Sequence, residues 1–181
     1  LEFLSSPLRE MTLIAFYLGM RQREIIQLSW DQVDLNRNII RISGENTKTG
    51  FKRRIPIHPI VRSMLNHLPR GLHTNRIFLS RGEPVQNFSG NYKRQWDKAV
   101  IMAGLGDFTF HDLRHCAINN LRLAGNDHFT IMTISGHRTN SVFKRYNVVT
   151  DEELQDVKWK SDTYQGGRIG GQQPRKIRET G

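Results

Sequence analysis

The residues able to do chemistry in this chain are two arginines, a lysine, three histidines and a tyrosine. Arg21 and Glu24 lie three apart in "GMRQRE" (19–24), and Lys48 sits in "NTKTGFKRRIPI" (46–57). His111, Arg114 and His115 share "HDLRH" (111–115), while "SGHRTNSVFKRYNVV" (135–149) places His137 after a glycine and Tyr146 nine residues later. Residues three apart on a helix share a face, so Glu24 can hold the Arg21 guanidinium and His111 can stand beside Arg114. Exchange of a phosphodiester without a metal needs such a set. Two fixed cations hold the nonbridging oxygens as charge builds on phosphorus, a nucleophile attacks, and an acid protonates the departing oxygen. Arginine suits the clamp because its planar fork meets two oxygens and keeps its proton.

Lys48 falls at the tip of a hairpin turn, where an ammonium can project into a groove and donate a proton. Lys52, Arg53 and Arg54 follow it and suit phosphate contacts. A tyrosine hydroxyl is a poor nucleophile at its usual pKa of about 10. Beside two arginines its phenolate is favoured, and a histidine can take the proton. Each member alone has a plainer reading: an exposed ion pair, a solvated turn lysine, a structural His115, a core tyrosine. A metal site is the competing chemistry. His111 and His115 stand four apart, one residue away from the H-E-x-x-H zinc signature, and His128 or His137 could be a third ligand. Against it, Asp112 stands where that signature has its glutamate, and Arg114 puts a cation beside the metal. No metal or other cofactor is expected.

The elements that must position these groups are mostly helical. Residues 8–18 form an apolar helix, and a second starts in 19–30 after a glycine break. Residues 38–42 and 52–57 read as strands joined by the turn 43–50, and 76–80 as a third short strand. Tyr92, Trp96, Ala99, Val100 and Ala103 mark a helix by their three-to-four spacing. Another runs over 111–124, with an apolar stripe at Leu113, Ala117, Leu121 and Ala124 and with His111, Arg114 and His115 away from that stripe. Shorter helices follow at 130–135, 139–146 and 151–160. The fold class expected is α+β, mostly helical, with a small antiparallel β-sheet. Residues 1–160 are one domain, and 161–181, rich in Gly, Gln and Arg, form a flexible basic tail.

The balance of charge narrows the partner. Over 181 residues, 27 Lys and Arg against 17 Asp and Glu give a net charge of +10, which favours a polyanion such as nucleic acid. Cys116 is the lone cysteine, so a disulfide framework is excluded and a reducing compartment, the cytoplasm, is expected. The longest apolar stretch, residues 11–20, is too short to span a bilayer.

The ordered set resembles the catalytic domain of tyrosine recombinases, the phage integrase family. Family members show an Arg in G-[ML]-R-x-x-E, a Lys in a T-K-T-G hairpin, an H-x-L-R-H helix, and a G-H followed by a stretch ending in the nucleophilic Tyr. Here these are Arg21 with Glu24, Lys48, His111 with Arg114 and His115, His137, and Tyr146. The similarity runs from about residue 8 to about residue 150. It implies a site-specific recombinase that cleaves and rejoins double-stranded DNA through a 3′-phosphotyrosyl link. In the implied roles Tyr146 attacks, Arg21 and Arg114 hold the nonbridging oxygens, Lys48 is the acid, His111 the base, and His137 a hydrogen-bond donor to the phosphate. Glu24 and His115 support them from behind. It also implies a homo-oligomer, a tetramer, on DNA, with the isolated chain a monomer. An N-terminal DNA-clamping domain of the family is expected to lie outside this chain. A type IB topoisomerase, a non-cleaving DNA-binding protein and, more remotely, a zinc hydrolase remain as alternatives.

Overall fold

The first helix, α1 (Leu8–Leu18), forms because Leu8, Met11, Ile14, Ala15 and Leu18 recur at helical spacing and are all buried. It ends at Gly19, whose left-handed φ of +62° sends its N–H to the Ala15 carbonyl. Glycine meets this conformation without strain. It also leaves room for a neighbour, since a Cβ here would lie 3.3 Å from that of Ala117. The computed structural model describes residues 1–43 and 52–137. These residues belong to one unit of the chain, Leu1–Tyr146. Lys48, Tyr146, the expected helices at 139–146 and 151–160, and the tail 161–181 lie outside the described residues.

The second helix, α2 (Gln22–Ile26), is much shorter than its apolar pattern suggests. Tertiary pairing takes the rest: the Trp30 N–H donates to the Asn75 carbonyl and the Ile77 N–H to that of Leu28. Ser29 therefore forms a single antiparallel bridge with Arg76, and Trp30–Gln32 closes as one 3-10 turn.

The sheet is antiparallel with three strands in the order β1 (Val33–Asp34), β2 (Ile39–Ile42), β3 (Arg53–Pro56). Its register sets Ile40 opposite Ile55 and Ile42 opposite Arg53. The expected third strand, residues 76–80, is not in this sheet. It contributes β4 (Leu79–Ser80), paired with β5 (Glu83–Pro84) in a separate ribbon. Sheet membership was instead filled by Val33 and Asp34, too short a run to signal a strand.

Helix α3 (Pro59–His67) was not anticipated. Pro59 at its first position, the His58 ring accepting from the Ile60 N–H, and buried Val61 and Leu65 build it. Helix α4 (Asn91–Met102) buries Trp96, Ala99 and Val100. Helix α5 (Asp112–Leu123) begins where the Asp112 carboxylate accepts from the Thr109 N–H and hydroxyl. Helix α6 (His128–Ser135) is capped by Asp127, which accepts from the Phe129 and Thr130 N–H groups, and stops at Gly136. The result is a mostly helical domain with small antiparallel sheets.

Candidate active site

The last carbonyls of a helix have no partner within it, and they carry the negative end of the helix dipole. At the C-terminus of α6 three consecutive carbonyls are each met by a different arginine. Arg53 donates through Nε to the Ile134 carbonyl at 3.0 Å, Arg114 through Nη2 to Ser135 at 2.7 Å, and Arg21 through Nη2 to Gly136 at 2.9 Å. Arg114 also donates through Nη1 to the Gly19 carbonyl, tying the end of α1 to the same point. Arginines from α5, from the start of α2 and from β3 thus converge on one turn of backbone.

Two of these guanidiniums, those of Arg53 and Arg21, share one counter-ion, Glu24. Its carboxylate accepts from Arg53 Nη1 at 2.8 Å and Nη2 at 2.5 Å, from Arg21 Nη1 at 3.1 Å, and from the Arg21 backbone N–H at 2.9 Å. Burial alone would raise the Glu24 pKa. The Arg53 hydrogen bonds and charge, with the Arg21 N–H, more than offset it and hold the carboxyl below its usual value. Arg21 remains partly open, its side chain 36% exposed, whereas Arg114 is 2% exposed.

Gly136 is required twice. Its φ is +71°, and a Cβ there would stand 3.1 Å from Cδ and Nη1 of Arg53. The Arg53 guanidinium lies against this backbone, so the glycine before His137 is part of the clamp's construction.

His137 closes the cluster. Its Nε2 lies 3.0 Å from Arg114 Nη2 and its Nδ1 lies 2.9 Å from the Ser135 hydroxyl. Burial first, and then the charges of Arg114, Arg21 and Arg53, push its pKa down to about 4. The ring is therefore neutral near pH 7. His111 precedes α5 and meets the His115 ring edge to face at 4.9 Å between centroids. Burial, then His115 and Arg114, lower its pKa below the usual imidazole value, so it too favours the neutral form that accepts a proton. His115 Nε2 lies 4.0 Å from the Asp112 carboxylate.

Two expectations are corrected. Arg53 does not face solvent as a phosphate contact: its side chain is 2% exposed and is committed to Glu24 and Ile134. Strand alternation placed it inward with Ile55, leaving Lys52 and Arg54 exposed on the opposite side. Arg114 does not lie away from the apolar face of α5, because it is buried with Leu113, Ala117 and Ile118. Sequence reasoning missed Ser135 and the buried role of Arg53. The alternation of Arg53, Ile55 and Ile57 was the available signal for the second. Lys48 and Tyr146 fall outside the described residues. Among the described residues no three His, Cys, Asp or Glu side chains group as a metal site would need.

A family profile described as "Phage integrase family" matches residues 2–153. The chain is 32% identical over 134 residues to the shufflon-specific DNA recombinase of Escherichia coli, covering 74% of this chain and 32% of that protein. It is 26% identical over 151 residues to the tyrosine recombinase XerC of Staphylococcus epidermidis, covering 80% and 50%. Among solved structures it is similar to the XerA recombinase, with TM-score 0.67 and 22% identity over 85% of this chain and 58% of that one. It is also similar to the catalytic domain of bacteriophage HP1 integrase, with TM-score 0.59 and 23% identity over 81% and 77%. These structures share its fold. The chain spans between a third and a half of the length of the two curated relatives.

Proposed function

The chain belongs to the phage integrase family, and on that premise we propose that it is the catalytic part of a site-specific DNA recombinase. One observation carries the proposal: Arg21, held by the buried Glu24 carboxylate, and Arg114 of α5 meet at Ser135–His137. A site that gathers cations before any anion arrives loses little in reorganisation when negative charge develops on phosphorus.

In this reaction the Tyr146 oxygen attacks a DNA phosphorus and forms a 3′-phosphotyrosyl bond as the bond to the 5′ oxygen breaks. His111 takes the phenolic proton and Lys48 gives a proton to the departing 5′ oxygen. Arg21 and Arg114 hold the nonbridging oxygens, and His137 donates a hydrogen bond to one of them. A 5′ hydroxyl from another strand then attacks phosphorus and releases Tyr146. The energy of the first phosphodiester is kept in the link, so no nucleotide cofactor is consumed. Lys52 and Arg54 contact the DNA backbone. Exchange between duplexes requires several copies, so the working form is a homo-oligomer on DNA. The catalytic domain covers residues 1–160, with 161–181 outside it.

The test is adduct trapping on nicked duplexes carrying the DNA that flanks the gene, read on denaturing gels. Wild type forms a covalent adduct and Tyr146→Phe forms none. Lys48→Ala is slow on ordinary DNA and recovers when sulfur replaces the bridging 5′ oxygen, since a thiolate departs without an acid. Adducts in Tyr146→Phe would show a different nucleophile, and no gain from sulfur would remove Lys48 as the acid.

A further inference from the structure

The hydrogen bonds around His137 assign its protons. Arginine only donates, so the Arg114 Nη2 contact at 3.0 Å makes His137 Nε2 an acceptor. A neutral imidazole that accepts at Nε2 carries its proton on Nδ1. That N–H then donates to the Ser135 oxygen at 2.9 Å, and the Ser135 hydroxyl points its own proton at the Met132 carbonyl, 3.4 Å away. This tautomer cannot donate from Nε2, yet the proposed reaction needs His137 to donate to the phosphate.

Full protonation would supply the donor, but the surroundings oppose it. Among the described residues, Arg114 and His115 of α5, Arg21 at the start of α2, and Arg53 of β3 all disfavour a further positive charge on His137. The remaining route is a change of tautomer. The Nδ1 proton passes to solvent water as another water gives a proton to Nε2, so hydronium and hydroxide cancel and the ring stays neutral. Nδ1 then needs a donor in place of its acceptor. A serine hydroxyl serves as either, and Ser135 is 1% exposed and held in place by its own carbonyl's bond to Arg114.

We propose that Ser135 is a positioning residue for His137: by rotating its O–H from the Met132 carbonyl to His137 Nδ1, it lets the neutral ring switch from accepting from Arg114 to donating to a phosphate oxygen. On the Ser135 side only the O–H turns; on the other side Arg114 Nη2, 3.0 Å from Nε2, must draw back toward the incoming phosphate, because two donors cannot face each other at that distance. It rests on the reading of this cluster as a phosphate clamp.

The test uses nitrogen-15 NMR of the 181-residue chain, with inorganic phosphate as the probe and the arginine Nε–H signals reporting its binding. Without phosphate, His137 shows a protonated Nδ1 and a bare Nε2. At saturating phosphate the pattern inverts. Phosphate that moves the arginine signals while His137 keeps its Nδ1 proton overturns the switch and leaves the clamp standing. Phosphate that leaves the arginine signals unmoved overturns the clamp and the switch with it. In adduct assays Ser135→Ala cleaves about ten-fold more slowly, the loss expected for one hydrogen bond, at unchanged DNA affinity. Ser135→Thr, which keeps the hydroxyl, restores the rate. A merely structural site of this burial would tolerate the smaller alanine better than threonine, so the opposite order of the two variants would contradict the proposal.

Discussion

Glu24 is the residue on which the cluster depends, because it is the only carboxylate that bridges Arg21 and Arg53 among the described residues. Glu24→Gln keeps the shape and removes the charge, leaving the Arg53 guanidinium buried without a counter-ion. A loss of about 3–5 kcal/mol in urea unfolding is expected, typical of a broken buried pair. Adding Arg53→Met to Glu24→Gln should cost less than the two single changes summed, because the residues are coupled. His137 gives a second measurement at this scale. Its pKa is about 4 in the fold against 6.5 for an ordinary imidazole. Between those values the unfolded chain binds more protons, so stability falls as pH drops through that window and is flat for this group above it. His111 acts in the same direction. His137→Asn should therefore flatten the slope of unfolding free energy between pH 7 and pH 5, read by urea titrations at each pH.

At the scale of elements, the end of α6 holds the construction together, and Gly136 tests it against a control. Gly125 and Gly136 both have positive φ, +81° and +71°, but a Cβ at Gly125 meets nothing within 4 Å. Gly125→Ala should cost about 1 kcal/mol for the left-handed backbone alone. Gly136→Ala adds a collision with Arg53 of about 1–3 kcal/mol, as overpacking does, and should also slow adduct formation. Thermal unfolding of both variants reads the difference. Helices α1, α4 and α5 were legible in the sequence because their apolar residues recur at helical spacing. The burial of Arg114 was not, because its partners are the Gly19 and Ser135 carbonyls, and backbone carbonyls leave no mark on residue type. The early end of α2 was hidden for a related reason, since pairing with residues 75–77 overrides its local pattern. Arg53 was legible in principle: it alternates with Ile55 and Ile57, and that alternation outweighs its charge once Glu24 lies beneath it.

At the scale of the whole molecule, the order of Arg21, His111, Arg114 and His137 along the chain was readable before their geometry, and the excess of 27 Lys and Arg over 17 Asp and Glu pointed to a polyanion. Binding to duplex DNA should weaken steeply between about 50 and 200 mM salt. Lys52→Ala and Arg54→Ala should each flatten that dependence by about one counterion. Arg53→Ala should leave it nearly unchanged and lower the melting temperature instead, because its guanidinium is inside the fold. The central claim is that Arg21 and Arg114, gathered on the last turn of α6, clamp the phosphate during DNA cleavage. Its most direct test is the single-turnover rate of adduct formation by Arg114→Lys at saturating DNA, with folding checked by circular dichroism. Lysine keeps the charge but cannot span the Gly19 and Ser135 carbonyls and a phosphate oxygen at once. The rate should fall at least about a hundred-fold below wild type with DNA affinity retained. A folded Arg114→Lys protein that forms adducts within a few-fold of the wild-type rate would contradict the claim.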